Sequence, residues 1–276
     1  MDLNGDGFND ILSGCYSRQG QDMAGIFQVF YGTKEGKFQK VAKIKGDDGE
    51  LLIIPAKKDD VIERICTRPT AADLNGDGHM DIIAGNFGGH FYVFNGLGKG
   101  KFEAKAQKLM LKSGKPMHVQ HHSDPFLIDW DKDGDLDLLS GSNSGGVFLF
   151  TNHGDKKAWS FGVSQTLVEP VGYKAGPMKF GDAHITGPQM ATRVYVDDLN
   201  EDGKWDLLVG DNLSIFEPAE GLTPDEARKK HAAYLKEREA LMEKQDAKID
   251  WQKMFAKEAK IISTDRTGFV WVYYQK

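Results

Sequence analysis

The chain has 276 residues, of which 40% are hydrophobic and 11% aromatic, a composition typical of a folded globular protein and not of a disordered one. Its formal net charge of −6 gives no electrostatic case for nucleic-acid binding. No apolar run approaches the roughly 18 residues of a membrane-spanning helix, so the sequence predicts no membrane span.

The chain opens on an acidic segment that recurs three more times, at Asp2–Gly14, Asp73–Gly85, Asp129–Gly141 and Asp198–Gly210. Each copy has Asp at position 1, Asn or Asp at position 3, Asp at position 5, Gly at position 6 and Asp at position 9. Such oxygen-rich loops attract a hard cation, and calcium is the usual one. The sequence therefore predicts up to four Ca²⁺ sites in an array of similar units.

Strand-like segments surround each loop. An apolar pair follows the loop directly, and an aromatic run comes next, at 25–32, 89–96, 146–152 and 268–275. A further strand precedes loops two to four, and another is expected after the aromatic run, opening at Gly36, Gly100 and Ala158. Four strands per unit, repeated radially, predict an all-β fold, a β-propeller of four-stranded blades.

A series of EF-hand-like helical units is the alternative interpretation of the loops. An EF-hand requires a bidentate Glu at position 12, whereas this chain has Ser13, Ala84, Ser140 and Val209 there. The flanking segments also lack a helical period. Both observations favour the propeller.

These loops and strands resemble the FG-GAP/VCBS repeat family of integrin-α-like calcium-binding propellers, and the likeness covers 1–276 except for about 217–262. The resemblance implies that the side chains at positions 1, 3, 5 and 9 and the carbonyl at position 7 bind calcium. These residues are Asp2, Asn4, Asp6, Phe8 and Asp10; Asp73, Asn75, Asp77, His79 and Asp81; Asp129, Asp131, Asp133, Asp135 and Asp137; and Asp198, Asn200, Asp202, Lys204 and Asp206.

Two departures from the family pattern concern the ends of the array. The first unit lacks the strand before its loop, and the last unit ends in its third strand. We therefore expect a fragment or an incompletely closed ring. Because such loops suit millimolar calcium, we expect an extracellular, periplasmic or cell-surface location, with the signal peptide missing from this chain.

The segment 217–262 departs from the β pattern. Thr223, Pro224 and Glu226 form a helix start, with Thr as N-cap, Pro at the first helical position and Glu closing a capping box. A charged run continues to about Gln245, and a second helical stretch covers about Asp250 to Lys260. The sequence predicts a helical hairpin inserted between the second and third strands of the last blade.

A candidate ligand-binding face lies opposite the calcium loops. The fifth residue before each of loops two to four is charged, and several histidines precede these residues, so the candidate residues are Arg68, His121, His122, Asp124, His184 and Arg193. The turns after the second strands add Tyr16, Arg18, Asn86, His90, Asn143 and Asp211. The charged residues alternatively satisfy one another as ion pairs in a wet channel. A transition-metal site at His118, His121 and His122 lacks an evident fourth ligand.

No catalytic motif is present, so we expect a non-catalytic, calcium-stabilised propeller that binds a partner protein or a glycan on this face. The alternative is a secreted lyase-like enzyme that uses the same Arg and His residues on acidic polysaccharides. A third interpretation is an architectural domain that presents the helical hairpin. Cys15 and Cys66 form either a disulfide or two separate thiols.

Overall fold

The computed structural model describes residues 1–16, 25–56, 62–155, 158–171, 178–243 and 249–276. The described residues form four antiparallel blades of a β-propeller and two helices. This confirms the predicted all-β propeller. The chain divides into one unit of Met1–Val171, Pro188–Asp211 and Val270–Lys276, and a second of Gly172–Gly187 and Asn212–Phe269.

Blade 1 has three strands, β1 (Ile11–Ser13), β2 (Gln28–Phe30) and β3 (Ala42–Lys43). Blade 2 begins with β4 (Arg68–Ala72), β5 (Asp81–Gly85) and β6 (Phe91–Phe94). A hairpin of β7 (Gly96–Gly98) and β8 (Lys101–Phe102) follows, and the outer strand β9 (Gln107–Lys108) then completes the blade. As predicted, a strand precedes the loop in blade 2.

Blade 3 has four strands in sequential order, β10 (Asp124–Ile128), β11 (Asp137–Gly141), β12 (Val147–Phe150) and β13 (Gln165–Val168). Blade 4 contains β14 (Met190–Asp197), the long β15 (Asp206–Pro218) and, after the inserted residues, a third strand. The insertion holds α1 (Pro224–Met242), α2 (Trp251–Glu258) and β16 (Ile262–Thr267), and β17 (Val270–Tyr273) follows it.

The outermost strands begin later than the sequence suggests. Gly100 was expected to open the fourth strand of its unit, but Lys101–Phe102 instead pairs with Gly96–Gly98 in the β7–β8 hairpin. Lys99 and Gly100 both have positive φ, which turns the chain back at this point. The outer strand β9 therefore follows the hairpin.

Three hydrophobic clusters lie between successive blades. Neighbouring residues of one strand point to opposite faces, so Ile82 packs toward blade 1 and Ile83 toward blade 3. Phe27 of blade 1 meets Phe94 of blade 2 edge-on, with ring centroids 5.4 Å apart. Leu139 of blade 3 packs in the same way toward blade 4. The apolar pairs after the second and third loops therefore help to join the blades.

A hydroxyl residue near the start of the inner strand of blades 2, 3 and 4 also joins neighbouring blades. Thr67, Ser123 and Thr192 are buried, and their side-chain oxygens accept the backbone N–H of Cys15, Asn86 and Ser142, each at 2.9 Å. The glycine just before each amide lies under the backbone of the next blade. A Cβ on Gly14, Gly85 or Gly141 would lie 1.9–2.1 Å from the carbonyl oxygen of the facing Thr or Ser.

The second unit contains the predicted helices. Thr223 caps α1 with the expected capping box to Glu226, and Asp250 caps α2. Tyr234, Met254 and Ile262 form a small core there, and the outer half of β15 pairs with β16. Residues 244–248 of the 217–262 segment lie outside the described residues. No described helix is both long and apolar enough to cross a membrane.

Candidate functional site

The four acidic loops share one backbone conformation, with positive φ at positions 4 and 6. Glycine occupies both positions in the first two loops, and position 6 is glycine throughout. Lys132 and Glu201 hold position 4 in the last two loops at φ of 63° and 59°. These angles are in the left-handed region, which glycine adopts at no steric cost.

Side-chain oxygens at positions 1, 3 and 5 organise the loop by accepting its backbone amides. In the first loop the carboxylate of Asp2 accepts the N–H of Gly5 at 2.8 Å and of Gly7 at 2.7 Å, and Asp6 accepts the N–H of Phe8 at 3.0 Å. The other loops repeat the pattern. Oxygens of the predicted ligands are thereby turned inward by the fold of the loop itself.

The position-9 aspartates are buried in all four loops. Asp81 is fully buried, and its two oxygens accept the N–H of Leu74 at 3.0 Å and of Gly96 at 2.7 Å. Asp10, Asp137 and Asp206 make the equivalent pair of bonds. Each of these carboxylates therefore ties the start of its loop to the residues just after β2, β6, β12 or β17.

Because of this tie, Asp81→Ala should destabilise the protein even without metal. The change leaves two amides without their acceptor, which costs about 2 kcal/mol of unfolding free energy. Urea unfolding in EGTA measures this loss of unfolding free energy. Asp77→Ala is the matched control, since Asp77 is exposed and its loss should cost less than about 0.5 kcal/mol. Equal losses for the two variants would contradict the role assigned to Asp81.

The third loop has the donor arrangement that fits a divalent cation best. Carboxylate oxygens of Asp129, Asp131 and Asp137 lie within 4.8 Å of one another. Oδ1 of Asp129 and Oδ1 of Asp135 are buried and accept no hydrogen bond from the described part of the chain. Buried anionic oxygens without a donor are costly unless a cation neutralises them. The residues present therefore fit a calcium ion.

Crowding of the carboxylates changes their acidity. Burial, together with the charges of Asp133, Asp137 and Asp131, raises the pKa of Asp135 to about 6. Burial also raises the pKa of Asp81 and of Asp137, although backbone hydrogen bonds oppose the change. Without a cation, the protonated forms of Asp81, Asp135 and Asp137 are thus favoured more than that of a free aspartate.

This acidity predicts a pH-dependent effect of Asp135→Asn in EGTA. In the folded protein the pKa of Asp135 is about 6, above the value of a free aspartate. The stabilisation that its protonated carboxyl contributes is therefore complete in acid and is lost as pH rises through 6. The melting temperature of the unsubstituted protein should exceed that of Asp135→Asn by more at pH 5 than at pH 7.5. Thermal denaturation of both proteins at the two pH values tests this. A gap that does not change with pH would contradict it.

Charged residues gather at the other end of the inner strands. Arg68, Asp124 and Arg193 lie at or near the start of β4, β10 and β14, whereas the loops follow the ends of these strands. Nη1 of Arg193 lies 3.2 Å from Oδ1 of Asp124. Arg68 donates to the carbonyl oxygen and to Nδ1 of His122, both at 2.9 Å. The structure therefore brings four of the six predicted face residues together.

This cluster holds more positive than negative charge, although its surroundings disfavour further positive charge. Burial and the neighbouring Arg193 lower the pKa of Arg68 to about 10, so Arg68 stays charged at neutral pH. Burial and the two guanidinium groups lower the pKa of His122 to about 4, which keeps its imidazole neutral. Burial raises the pKa of Asp124, although both arginines oppose the change. Two cations thus surround one carboxyl group.

The other predicted face residues are placed differently. His121 adjoins His122 with its ring centroid 5.9 Å from that of Phe87. His184 belongs to the second unit. The ring of His118 lies against that of His90 in a tilted arrangement, with centroids 4.9 Å apart. Among the described residues, the group suited to a metal ion consists of Asp129, Asp131 and Asp137, and no histidine belongs to it. Arg18 lies outside the described residues.

Sequence reasoning missed Glu63, which joins several residues of blade 2. Its carboxylate accepts the hydroxyl of Tyr92 at 2.6 Å and the amide of Asn86 at 3.0 Å, and it lies 2.7 Å from Nδ1 of His90. Burial alone would raise the pKa of Glu63, but the contacts with His90 and Tyr92 lower it to about 2. No motif surrounds Glu63, so no signal in the sequence could have found it.

Comparison with known proteins agrees with the loop geometry. Residues 73–120 match the model of the FG-GAP-like repeat. The chain carries an FG-GAP-like repeat. The matched residues start at Asp73, the first predicted ligand of the second loop, and run through β5, β6 and β9 of blade 2. The other three copies of the loop show the same hydrogen bonds as this FG-GAP-like repeat.

No curated protein matched the chain. Among solved structures, the chain is similar to a lectin from Agrocybe aegerita that recognises non-reducing terminal N-acetylglucosamine. The TM-score is 0.37 and the identity 20%, over 74% of this chain and 47% of the lectin. The chain thus spans about half the length of that structure.

Proposed function

We propose that the chain is a non-catalytic, calcium-stabilised propeller that acts outside the cell and binds a partner protein or a glycan on the face opposite its calcium loops. The observation that carries the proposal is the cluster of Arg68, Arg193 and Asp124 at the start of the inner strands. Two guanidinium groups beside one carboxyl group leave a positive charge unmatched. The ligand should therefore carry an acidic group.

Arg193 is the residue best placed to contact such a ligand. Its side chain is 49% exposed, although one nitrogen is 3.2 Å from Asp124. A planar guanidinium has five N–H donors, so Arg193 keeps donors for a carboxylate while it pairs with Asp124. Arg68 is held in place by His122. An acidic sugar or an acidic side chain would relieve the repulsion between these two cations.

Calcium would support this face from the other end of the same strands. The inner strand of blade 3, β10, begins at Asp124, and the third loop follows its last residue, Ile128. A cation held by Asp129, Asp131, Asp133, Asp137 and the carbonyl of Asp135 would fix the end of that strand. Loops of this composition are filled at millimolar calcium, which is the concentration outside cells and the basis of the proposed location.

Binding to a panel of acidic and neutral glycans and acidic peptides, measured by calorimetry in CaCl₂, tests the proposal. Arg193→Ala should weaken binding of an acidic ligand about tenfold, which corresponds to roughly 1.4 kcal/mol. Arg266→Ala is the control, because Arg266 is an exposed arginine of the second unit. Equal binding by both variants, or a preference for neutral ligands, would contradict the proposal.

The geometry of His122 argues against a lyase that uses this residue as base. Arginine only donates, so Nδ1 of His122 accepts from Arg68 and its proton is on Nε2. Neither nitrogen then offers a lone pair to a substrate. A lyase would release an unsaturated product that absorbs ultraviolet light, and we expect no such signal from polymers of uronic acids.

A further inference from the structure

The two cysteines of the chain lie on opposite sides of the junction between blades 1 and 2. Cys15 comes shortly after β1, and Cys66 comes shortly before β4. The amide of Cys15 donates to Oγ1 of Thr67 at 2.9 Å, and the amide of Thr67 donates back to the carbonyl oxygen of Cys15 at 3.2 Å. This pair of hydrogen bonds holds Cys15 beside Thr67, whose chain neighbour is Cys66.

The other junctions show that this arrangement belongs to the backbone. Between blades 2 and 3 the amide of Ser123 donates to the carbonyl oxygen of Asn86 at 3.1 Å, in the same way. The residue before the hydroxyl residue is left-handed each time, with φ of 56° at Cys66, 52° at His122 and 50° at Ala191. The junction therefore sets the conformation at Cys66 whatever the side chain.

The separation across the junction suits a disulfide bond. Residues paired across two backbones have Cα atoms roughly 4.5–5.5 Å apart, and a disulfide needs Cα atoms within about 7 Å. Close packing at Gly14, just before Cys15, supports this approach, because a Cβ there would lie 1.9 Å from the carbonyl oxygen of Thr67. The two cysteines that the sequence contains are thus neighbours in space.

The two thiols differ in their readiness to react. Cys66 is buried, and burial raises the pKa of its thiol to about 11. Nearby arginines oppose this rise, whereas the thiol of Cys15 adds to it, which is an effect of short range. Only a thiolate attacks a disulfide. Cys15 is less buried than Cys66, so a small molecule reaches Cys15 first.

We propose that Cys15 and Cys66 form an oxidation site, at which a small-molecule disulfide such as oxidised glutathione introduces a bond between blades 1 and 2. The thiolate of Cys15 attacks one sulfur of that molecule and expels the other half as a thiol. Cys66 then loses its proton and attacks the sulfur of Cys15, which expels the second half. Two protein thiols are oxidised, one disulfide is reduced to two thiols, and the two protons end on those thiols.

The bond would stabilise the junction and the inner strand beside it. Cys66 lies two residues before Arg68, the first residue of β4, so the bond would fix the start of that strand. A disulfide also restricts the unfolded chain, and more so when it closes a long loop. The oxidised protein should therefore melt about 10 °C above the reduced protein. This effect is separate from ligand binding and does not depend on the proposed function.

Mass spectrometry of the whole chain tests the proposal. The chain is incubated with oxidised glutathione in CaCl₂, and remaining thiols are then alkylated. We expect a loss of about 2 Da, with no alkylation, and a non-reduced digest in which the peptides of Cys15 and Cys66 are linked. Two alkylated thiols, two glutathione adducts on one chain or a disulfide-linked dimer would each overturn the proposal.

Single variants test the order of the two steps. Cys66→Ser should stop at a glutathione adduct on Cys15, whereas Cys15→Ser should leave Cys66 without an adduct. The opposite result would overturn the proposed sequence. Cys15→Ser combined with Ser142→Cys is the matched control, because it moves one thiol to the equivalent position after β11. An internal disulfide in this control would overturn the argument from proximity at the first junction.

Calorimetry measures the effect of the bond on stability. Dithiothreitol should lower the melting temperature of the oxidised chain by about 10 °C. The double variant Cys15→Ser and Cys66→Ser should not respond to dithiothreitol, which controls for effects of the reductant itself. Equal melting temperatures of the oxidised and reduced chains would overturn the claim that the bond stabilises the junction.

Discussion

Removing calcium with EGTA is expected to lower the melting temperature of the chain by roughly 20 °C. A ligand that binds only the native state stabilises it by about 2.7 kcal/mol per site at a hundredfold excess over its dissociation constant. Four loops contain the same ligand pattern, and a domain of this size shifts by about 2–4 °C per kcal/mol. Differential scanning calorimetry in CaCl₂ and in EGTA gives the difference directly.

A pair of variants separates loop binding from a general effect of salt. Asp131→Asn removes one anionic ligand from the third loop and should reduce the calcium-dependent shift, because that loop groups Asp129, Asp131 and Asp137. Asp265→Asn changes an exposed aspartate outside the loops and should leave the shift unchanged. Identical shifts for both variants would show that the ions bind elsewhere.

Gly141→Ala is expected to cost about 3 kcal/mol of unfolding free energy, which is at the upper end of overpacking effects. The added Cβ would lie 2.1 Å from the carbonyl oxygen of Thr192 in the next blade. Blades 3 and 4 would then have to separate, which would also weaken the hydrogen bond from the amide of Ser142 to Thr192.

Gly210 provides the matched control for this prediction, because it holds the same position in the fourth loop. The nearest atom to a Cβ there is 3.9 Å away, on Arg193, which is an ordinary contact. Gly210→Ala should therefore change stability by less than about 0.5 kcal/mol. Chemical denaturation of the two variants in CaCl₂ decides the matter. Equal losses of unfolding free energy in the two variants would mean that glycine is required there for a reason other than the close approach of the blades.

The repeated features of the fold could be predicted because each follows from local chemistry. The acidic loops recur with fixed spacing, and the residues beside them alternate between two faces of a strand, which indicates blades. Thr223 and Glu226 likewise form their capping box within one turn of helix. These patterns need only residues that are close in sequence.

Features that join distant residues could not be predicted in this way. The contact of Thr192 with Ser142 spans 50 residues, and Glu63 reaches His90 and Tyr92 from an irregular segment. The position-9 aspartates were predicted as metal ligands, but their burial and paired amide bonds appear only when the third strand is in place. His184 could be grouped with the face residues only by proximity in sequence.

Equilibrium dialysis with radioactive calcium tests the central claim most directly, because it counts the ions bound to each chain. Four loops with a common hydrogen-bond pattern should bind four Ca²⁺, and they would turn the formal charge from −6 to +2. A variant with Asp129, Asp131 and Asp137 all changed to Asn should bind three. A chain that binds no calcium at millimolar concentration would contradict the account.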